Sequence, residues 1–309
     1  MKIHRDLENL PAFRNAVITI GTFDGVHMGH RQIINKLKAE ANAVQGETVI
    51  ITFHPHPRKV IVSTILGVRL INTLEEKMEI LEQLGIDHVV IVPFTEAFAN
   101  QPAEEYIKNF LIDKFHPHTI IIGYDHRFGK ERKGDYLLLE EKAPVYKYVL
   151  KEIPKHVLDE ISISSTKIRE ALLEGKIDIA DKLLGYEFFF SGMVVHGDKL
   201  GRKLGFPTAN LKVTDEEKIT PGNGIYAVYA QPEGYNDRLK GMMSIGFRPT
   251  VDGKKRVIEV NIFDFDKEIY DEMLKVYVKK YLRAEIKFNN LDELIKQIRL
   301  DKIESGKVL

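Results

Sequence analysis

In the first half of the chain, short apolar runs alternate with longer amphipathic stretches, and that alternation leaves few folds open. The runs fall at 16–20, 48–53, 88–92, 119–123 and 145–150, with helical spacing near 29–44, 73–84, 102–114 and 134–142 between them. Strands that alternate with helices are joined by right-handed crossovers, which gives a parallel sheet covered on both faces. The helix from Thr73 opens with Thr73-Leu74-Glu75-Glu76, a capping-box pattern, and Gly85 stands where a C-cap belongs. The next opens at Pro102, with Glu104 and Glu105 following, both favourable in a first turn. In such a sheet, ligands sit beyond the carboxyl ends of the strands.

From Ile161 the pattern changes. Ser162 to Thr166 reads as the cap of a helix over 167–174 that Gly175 ends, and a short helix over 178–184 closes the first domain. Beyond Gly185 the runs at 188–195, 225–231, 239–245, 257–263 and 274–280 are separated by turns rich in Gly, Asp, Asn and Pro. These predict a compact antiparallel barrel, with a last amphipathic helix over 291–303 across one end. A chain of 309 residues exceeds what one core usually supports, so two domains, 1–184 and 185–309, are expected.

Composition narrows the function. Lysine plus arginine and aspartate plus glutamate are 45 each, which argues against a general binder of nucleic acid or of anionic membranes. The absence of cysteine excludes disulfides, thiolate metal sites and cysteine nucleophiles. No run reaches signal-peptide or membrane-span length, so a cytoplasmic protein is expected.

One stretch carries chemistry at once. Gly21-Thr22-Phe23-Asp24-Gly25-Val26-His27-Met28-Gly29-His30 leaves the first strand and enters the first helix. Its glycines let a ligand approach the backbone, and the helix start offers unpaired N–H groups and a positive dipole end. His27 and His30 fall on one face of the first turn. A phosphate site accounts for this pattern; a tight turn with an ordinary helix, or a metal pair, are the alternatives.

The same stretch, then Ser164-Ser165-Thr166-Lys167-Ile168-Arg169, then Gly201-Arg202-Lys203-Leu204-Gly205-Phe206-Pro207-Thr208-Ala209-Asn210, occur in that order. Together they resemble the bacterial bifunctional riboflavin kinase/FMN adenylyltransferase (FAD synthetase) family along essentially the whole chain. The resemblance implies an α/β fold: an N-terminal nucleotidyltransferase-type Rossmann-like parallel sheet plus a C-terminal antiparallel β-barrel with a terminal helix. It implies two reactions, riboflavin to FMN and FMN to FAD, with Mg²⁺-ATP in both and small molecules (ATP, riboflavin, FMN) as the partners. His27 and His30 would act on the ATP phosphates, with Gly21, Phe23, Asp24 and Gly25 binding nucleotide. Ser164, Ser165, Thr166 and Arg169 match a second signature that suits the β- and γ-phosphates, although such hydroxyls also fill ordinary N-caps. Asp125, Phe128 and Gly129, in Gly123-Tyr124-Asp125-His126-Arg127-Phe128-Gly129, align with nucleotide-holding positions; His126 stands where phenylalanine is common. His56, Pro57 and Arg58 would shape the FMN pocket, or else two prolines simply stiffen that loop.

In the second domain the resemblance makes Gly201 to Gly205 a phosphate loop. Pro207, Thr208 and Asn210 would bind nucleotide, with Thr208 and Asn210 as oxygen ligands for Mg²⁺. Glu259 would be the general base that takes the hydroxyl proton; by periodicity alone it is an outward residue on an alternating strand. Asn261 replaces a frequent histidine.

Overall fold

β-branched residues dominate the N-terminal strands, and burial on both faces explains their near-continuous apolarity. The computed structural model of the chain describes residues 1–57, 60, 69–123, 126–197, 200–250 and 253–309. Six parallel strands, β1 (Lys2–His4), β2 (Val17–Ile20), β3 (Thr48–His54), β4 (His88–Pro93), β5 (Thr119–Gly123) and β6 (Val149–Ile153), form one sheet in the order β1-β4-β3-β2-β5-β6. Ile18, Ile50, Ile51, Val90 and Ile120 are wholly buried in it, each contributing about 1.5–3 kcal/mol relative to an exposed side chain. From β2 the chain winds one way to β3 and β4, then returns to the other side for β5 and β6. The carboxyl ends of β2 and β5 therefore flank the point where the winding reverses.

The helices are set by their ends. α1 is Met28–Ala43, and α2 is Leu74–Gln83. Thr73 caps α2 as a complete capping box: its hydroxyl accepts from Glu76 N at 3.2 Å, and the Glu76 carboxylate accepts from Thr73 N at 3.0 Å. The helical segment over 103–115, α3, departs from plain α-geometry, because Tyr106–Ile112 is wound as a π-helix. α4 (Tyr136–Tyr146) runs past the expected end at 142 and takes Pro144 into its last turn. That displaces the last strand to Val149–Ile153 from the expected 145–150. Asp135 caps α4, and Lys147 turns left-handed to end it, its N–H bonded to Ala143 O.

The cap predicted at Ser162 to Thr166 is corrected. Pro154 starts the helix instead, with Val157 N and Leu158 N bonded to its carbonyl, and α5 runs unbroken from Lys155 to Leu173. Pro154 wins because a proline costs nothing where no N–H partner exists. Ser164 to Thr166 thus lie mid-helix and present hydroxyls, not free backbone N–H groups. Gly175 ends α5 as expected: its N–H bonds Leu172 O and that of Lys176 bonds Ala171 O, a Schellman pair around a φ of 73°.

Packing divides the chain into two compact units, one of 1–68 and 73–165, the other of 69–72 and 166–309. The second unit is a closed barrel of six strands: β7 (Phe189–Val195), β8 (Ala209–Lys212), β9 (Gly224–Pro232), β10 (Leu239–Thr250), β11 (Gly253–Ile262) and β12 (Met273–Arg283). They close in the order β10-β11-β8-β7-β12-β9. Its core takes in Ile168 and Leu172 of α5 and Ile177, Ala180 and Leu184 of α6 (Ile177–Leu184). The change of sequence pattern at 184/185 and the change of packing at 165/166 are therefore separated by these two helical segments. α7 (Leu291–Val308) follows the barrel, capped by Asn290.

The four residues 69–72 join the barrel unit as a strap. Leu70 N donates to Glu217 O and Leu70 O accepts from Ile219 N, at 2.6 and 2.9 Å. Lys218, 2% exposed, donates to Ile71 O at 2.6 Å and Phe189 O at 3.0 Å, and lies 4.7 Å over the Phe188 ring. Among the described residues no helix is long and apolar enough to cross a membrane.

Four histidines of the first unit make its stability acid-sensitive. His4 Nε2 and His88 Nδ1 meet at 3.0 Å and tie β1 to β4. Burial holds His4, His88 and His30 below the ordinary imidazole value, and pushes His126 down to about 4. A lowered folded pKa means that the unfolded chain takes up the protons first. This stability is present above about pH 6.5 and is lost as pH falls toward 4. Thermal melts from pH 8 to 4 should give a flat midpoint down to about 6.5 and a progressive fall below it.

Candidate active sites

The turn between β2 and α1 is built from unusual backbone. Gly21 N donates to Ile51 O at 3.0 Å, and Val26 N to Phe23 O at 3.2 Å. Phe23, Gly25 and Val26 all take positive φ, of 48°, 85° and 37°. For a phenylalanine and a β-branched valine this is strained, and their burial, at 2% and 0% exposure, holds them there. His27 is the N-cap of α1 in extended conformation, with no side-chain cap bond. Its ring turns to Ser165 instead, Nε2 lying 2.9 Å from Oγ. The His27 and His30 rings lie 4.0 Å apart, and Phe23 packs on His30 at 5.1 Å.

Asp24, His27 and His30 are all buried. Burial, then His27 and Lys77, holds the His30 imidazole well below its ordinary value. At neutral pH His30 is therefore an uncharged ring whose N–H can donate. Among the described residues no group of three or more His, Cys, Asp or Glu could hold a metal ion.

Lys77 escapes the sequence reading. It lies on α2, 7% exposed, and its ammonium donates to Thr22 O at 2.7 Å; the Thr52 hydroxyl reaches the same carbonyl at 3.3 Å. Desolvation lowers it to about 8, with Asp24 acting in the opposite direction. A signal was present: 74, 77, 78 and 81 make an apolar stripe at helical spacing, with a lysine in one of its places.

His27 and Ser165 are brought together. Ser164 lies half-buried on the same helix as Ser165. Asp125 and Arg58 lie outside the described residues. His56 and Pro57 follow β3, the neighbour of β2, and are half-buried. Phe128 is 6% exposed, stacked on Tyr106 at 4.7 Å in the core, so its ring is occupied by packing. Gly129 is needed for close approach: a Cβ there would lie 2.9 Å from Ala103 Cα, at a φ of 71°. His126 has a buried Nε2 with no hydrogen-bond partner among the described residues.

In the barrel unit, Thr166 is exposed on α5, and Arg169 donates from Nε to Arg69 O at 2.9 Å. The expected loop is corrected in its first part: Leu200–Lys203 is one helical turn that carries Gly201, and the chain then bends back with Leu204 N and Phe206 N both bonded to Gly201 O. A Cβ at Gly201 would stand 2.4 Å from Phe206 O, and Gly205 takes a φ of 83°. Beyond the loop, Asn210 of β8 pairs in register with Glu259 of β11. The Thr208 hydroxyl and Glu259 Oε1 are 3.5 Å apart, at the outer limit of a hydrogen bond. Arg248 of β10 grips the other carboxylate oxygen at 2.9 Å and reaches Glu285 at 3.3 Å.

Ile258 and Val260 on either side of Glu259 are buried, so Glu259 takes the alternate, outward face. Asn261 is buried and donates to Pro207 O at 2.6 Å, which pins the segment that carries Thr208 into β8. Asn210 lies against Gly197, where a Cβ would come within 2.3 Å of its amide nitrogen. A small open cleft lies beside Thr208, walled by Pro207, Val260, Ile262 and Tyr270 together with the charged Arg202 and Lys267. Hydroxyl, amide oxygen, carboxylate and closely packed glycines beside a cleft of mixed apolar and cationic lining suit a phosphorylated nucleotide.

A family model of FAD synthetase matches residues 10–167, and one of riboflavin kinase matches 184–309. A relative from Buchnera aphidicola, described as bifunctional riboflavin kinase/FMN adenylyltransferase, is 38% identical, covering 97% of this chain and 96% of its own. One of the same description from Escherichia coli K12 is 36% identical over 98% and 96% of the two chains. A crystal structure from Streptococcus pneumoniae, described as a macrolide-efflux protein, is 29% identical with a TM-score of 0.85, over 99% of this chain and 98% of that one. With two family models in tandem and relatives aligned nearly end to end, the chain belongs to the bifunctional riboflavin kinase/FMN adenylyltransferase family.

Proposed function

We propose that this chain phosphorylates riboflavin to FMN and then transfers AMP from ATP to FMN, giving FAD and pyrophosphate. The observation that carries the reading is that each packed unit holds its own phosphate-type constellation: His27, His30 and Ser165 in one, Thr208, Asn210 and Glu259 in the other. The adenylyltransferase domain corresponds to 1–184 and the kinase domain to 185–309, working in the cytoplasm on small molecules rather than on nucleic acid or membranes.

In adenylyl transfer, a phosphate oxygen of FMN attacks the α-phosphorus of ATP, and the bond to the bridging oxygen breaks as pyrophosphate leaves. No covalent nucleophile is needed; positioning and charge stabilisation suffice. The backbone of Gly21 to Gly25 and the N-terminus of α1 receive phosphate oxygens. His27, held by Ser165, and neutral His30 donate N–H groups to charge that develops on the α-phosphate. Ser164 is assigned to the outgoing β- and γ-phosphates, and Asp24 to the nucleotide side of the turn.

In the kinase reaction, the riboflavin 5′-hydroxyl oxygen attacks the γ-phosphorus and ADP leaves. Glu259 takes the hydroxyl proton, its carboxylate oriented by Arg248. Gly201 to Gly205 covers the phosphates. Thr208 and Asn210 offer uncharged oxygens, a donor set that fits Mg²⁺ arriving with ATP. The cation supplies neutralisation of phosphate charge.

Purified protein with riboflavin, ATP and Mg²⁺, followed by chromatography, should yield FMN and then FAD; neither product would refute the reading. His27→Ala should cut FAD formation by about 10²-fold or more while FMN still accumulates. Glu259→Ala should do the reverse, losing about 10²–10⁴-fold in FMN formation while added FMN is still converted to FAD. Gly201→Ala forces a Cβ against Phe206 O. It should lower riboflavin phosphorylation at least about tenfold, chiefly through a raised KM for ATP, with FAD formation from FMN unchanged.

A further inference from the structure

A lysine more than nine-tenths buried is uncommon, because an ammonium costs several kcal/mol to remove from water. Lys77 is such a residue, and it lies under the turn that joins β2 to α1. Its Nζ uses one of three donors on Thr22 O at 2.7 Å. Thr22 directly precedes Phe23, the first of the strained residues, so the bond fixes the point where the left-handed path begins. A second donor, the Thr52 hydroxyl, already reaches the same carbonyl at 3.3 Å. A neutral side chain would therefore satisfy this backbone at lower desolvation cost, and what lysine alone adds is a fixed positive charge.

We propose that Lys77 is a further positioning residue of the adenylyl-transfer site, anchoring the Gly21–Gly25 turn from beneath and giving it a buried positive charge that favours bound phosphate. The inference rests on the adenylyltransferase reading above and names a residue that the motifs of the turn do not contain. The charge acts in two directions. It attracts the phosphates that the turn receives, and it opposes protonation of His30, so the ring remains a neutral donor during the reaction. The charged and titratable groups that bear on His30 are His27 on its own helix and Lys77 on α2, with Asp24 acting on Lys77.

The test uses the full chain with Lys77→Met, Lys77→Gln and Lys77→Arg, assayed for FAD from FMN and for FMN from riboflavin in the same preparations. Thermal melts report on folding. Lys77→Gln keeps a donor for Thr22 O but removes the charge. It should lower FAD formation at least about tenfold and move the acid limb of its kcat profile to higher pH, since His30 then protonates more readily. Lys77→Arg should restore part of the rate and the position of the limb. A raised KM for ATP, rather than for FMN, identifies ATP as the source of the phosphate concerned, and the converse identifies FMN. Riboflavin phosphorylation should stay within about twofold in all three. A folded Lys77→Gln protein with FAD formation within twofold and an unmoved limb overturns the inference. So does loss of fold in all three variants, which makes Lys77 structural only. A native chain that makes no FAD defeats the underlying reading instead.

Discussion

Everything at the first site depends on a backbone path that most residues avoid. Between β2 and α1 the chain passes through left-handed φ at Phe23, Gly25 and Val26. Only one of these is a glycine, so the conformation is not free; it is held by burying two apolar side chains. The result aims His27 out of extended backbone at the helix start, where its ring meets Ser165 on one side and His30 on the other. Relaxing the turn would move both imidazoles together, because His27 and His30 share one helical turn.

The barrel reaches a comparable end by different means. There a β-sheet register sets the geometry: Asn210 and Glu259 are cross-strand partners, and Thr208 precedes the paired segment. Alternation points Glu259 outward while its neighbours fill the core, so catalytic and structural demands use opposite faces of β11. Arg248, two strands from β8, steadies the carboxylate from the side. The first unit thus relies on a strained turn and the second on regular pairing, with glycines needed in both for close approach.

Much of this was legible in the residues. Period and turn chemistry gave the parallel sheet, the Thr73 capping box, the Gly175 stop and most barrel strands. Features that escaped have physical reasons. β1 is three residues long and β8 four, too short for alternation to register. Pro144 reads as a breaker, yet α4 tolerates it in its last turn. Ser162 to Thr166 has the composition of a cap, but Pro154 opens the helix earlier. Lys77 looks like surface on composition, and only its place in an apolar stripe betrays burial. Meetings such as His27 with Ser165, or Arg248 with Glu259, depend on tertiary placement that no local pattern encodes.

The strap at 69–72 has a consequence for how the chain can be divided and assembled. The barrel unit is contiguous in space but drawn from two stretches of sequence, and Lys218 is completed by carbonyls from both. A fragment that begins at 185 would keep Phe189 O but forfeit Ile71 O, leaving a buried ammonium short of an acceptor. On the ribosome, residues 69–72 emerge long before Glu217, Lys218 and Ile219, which they bond. They must wait for the last third of the chain, so the second unit becomes complete only when synthesis is almost finished. The protein has one continuous polypeptide and two reactions, yet no single cut separates its packing into halves.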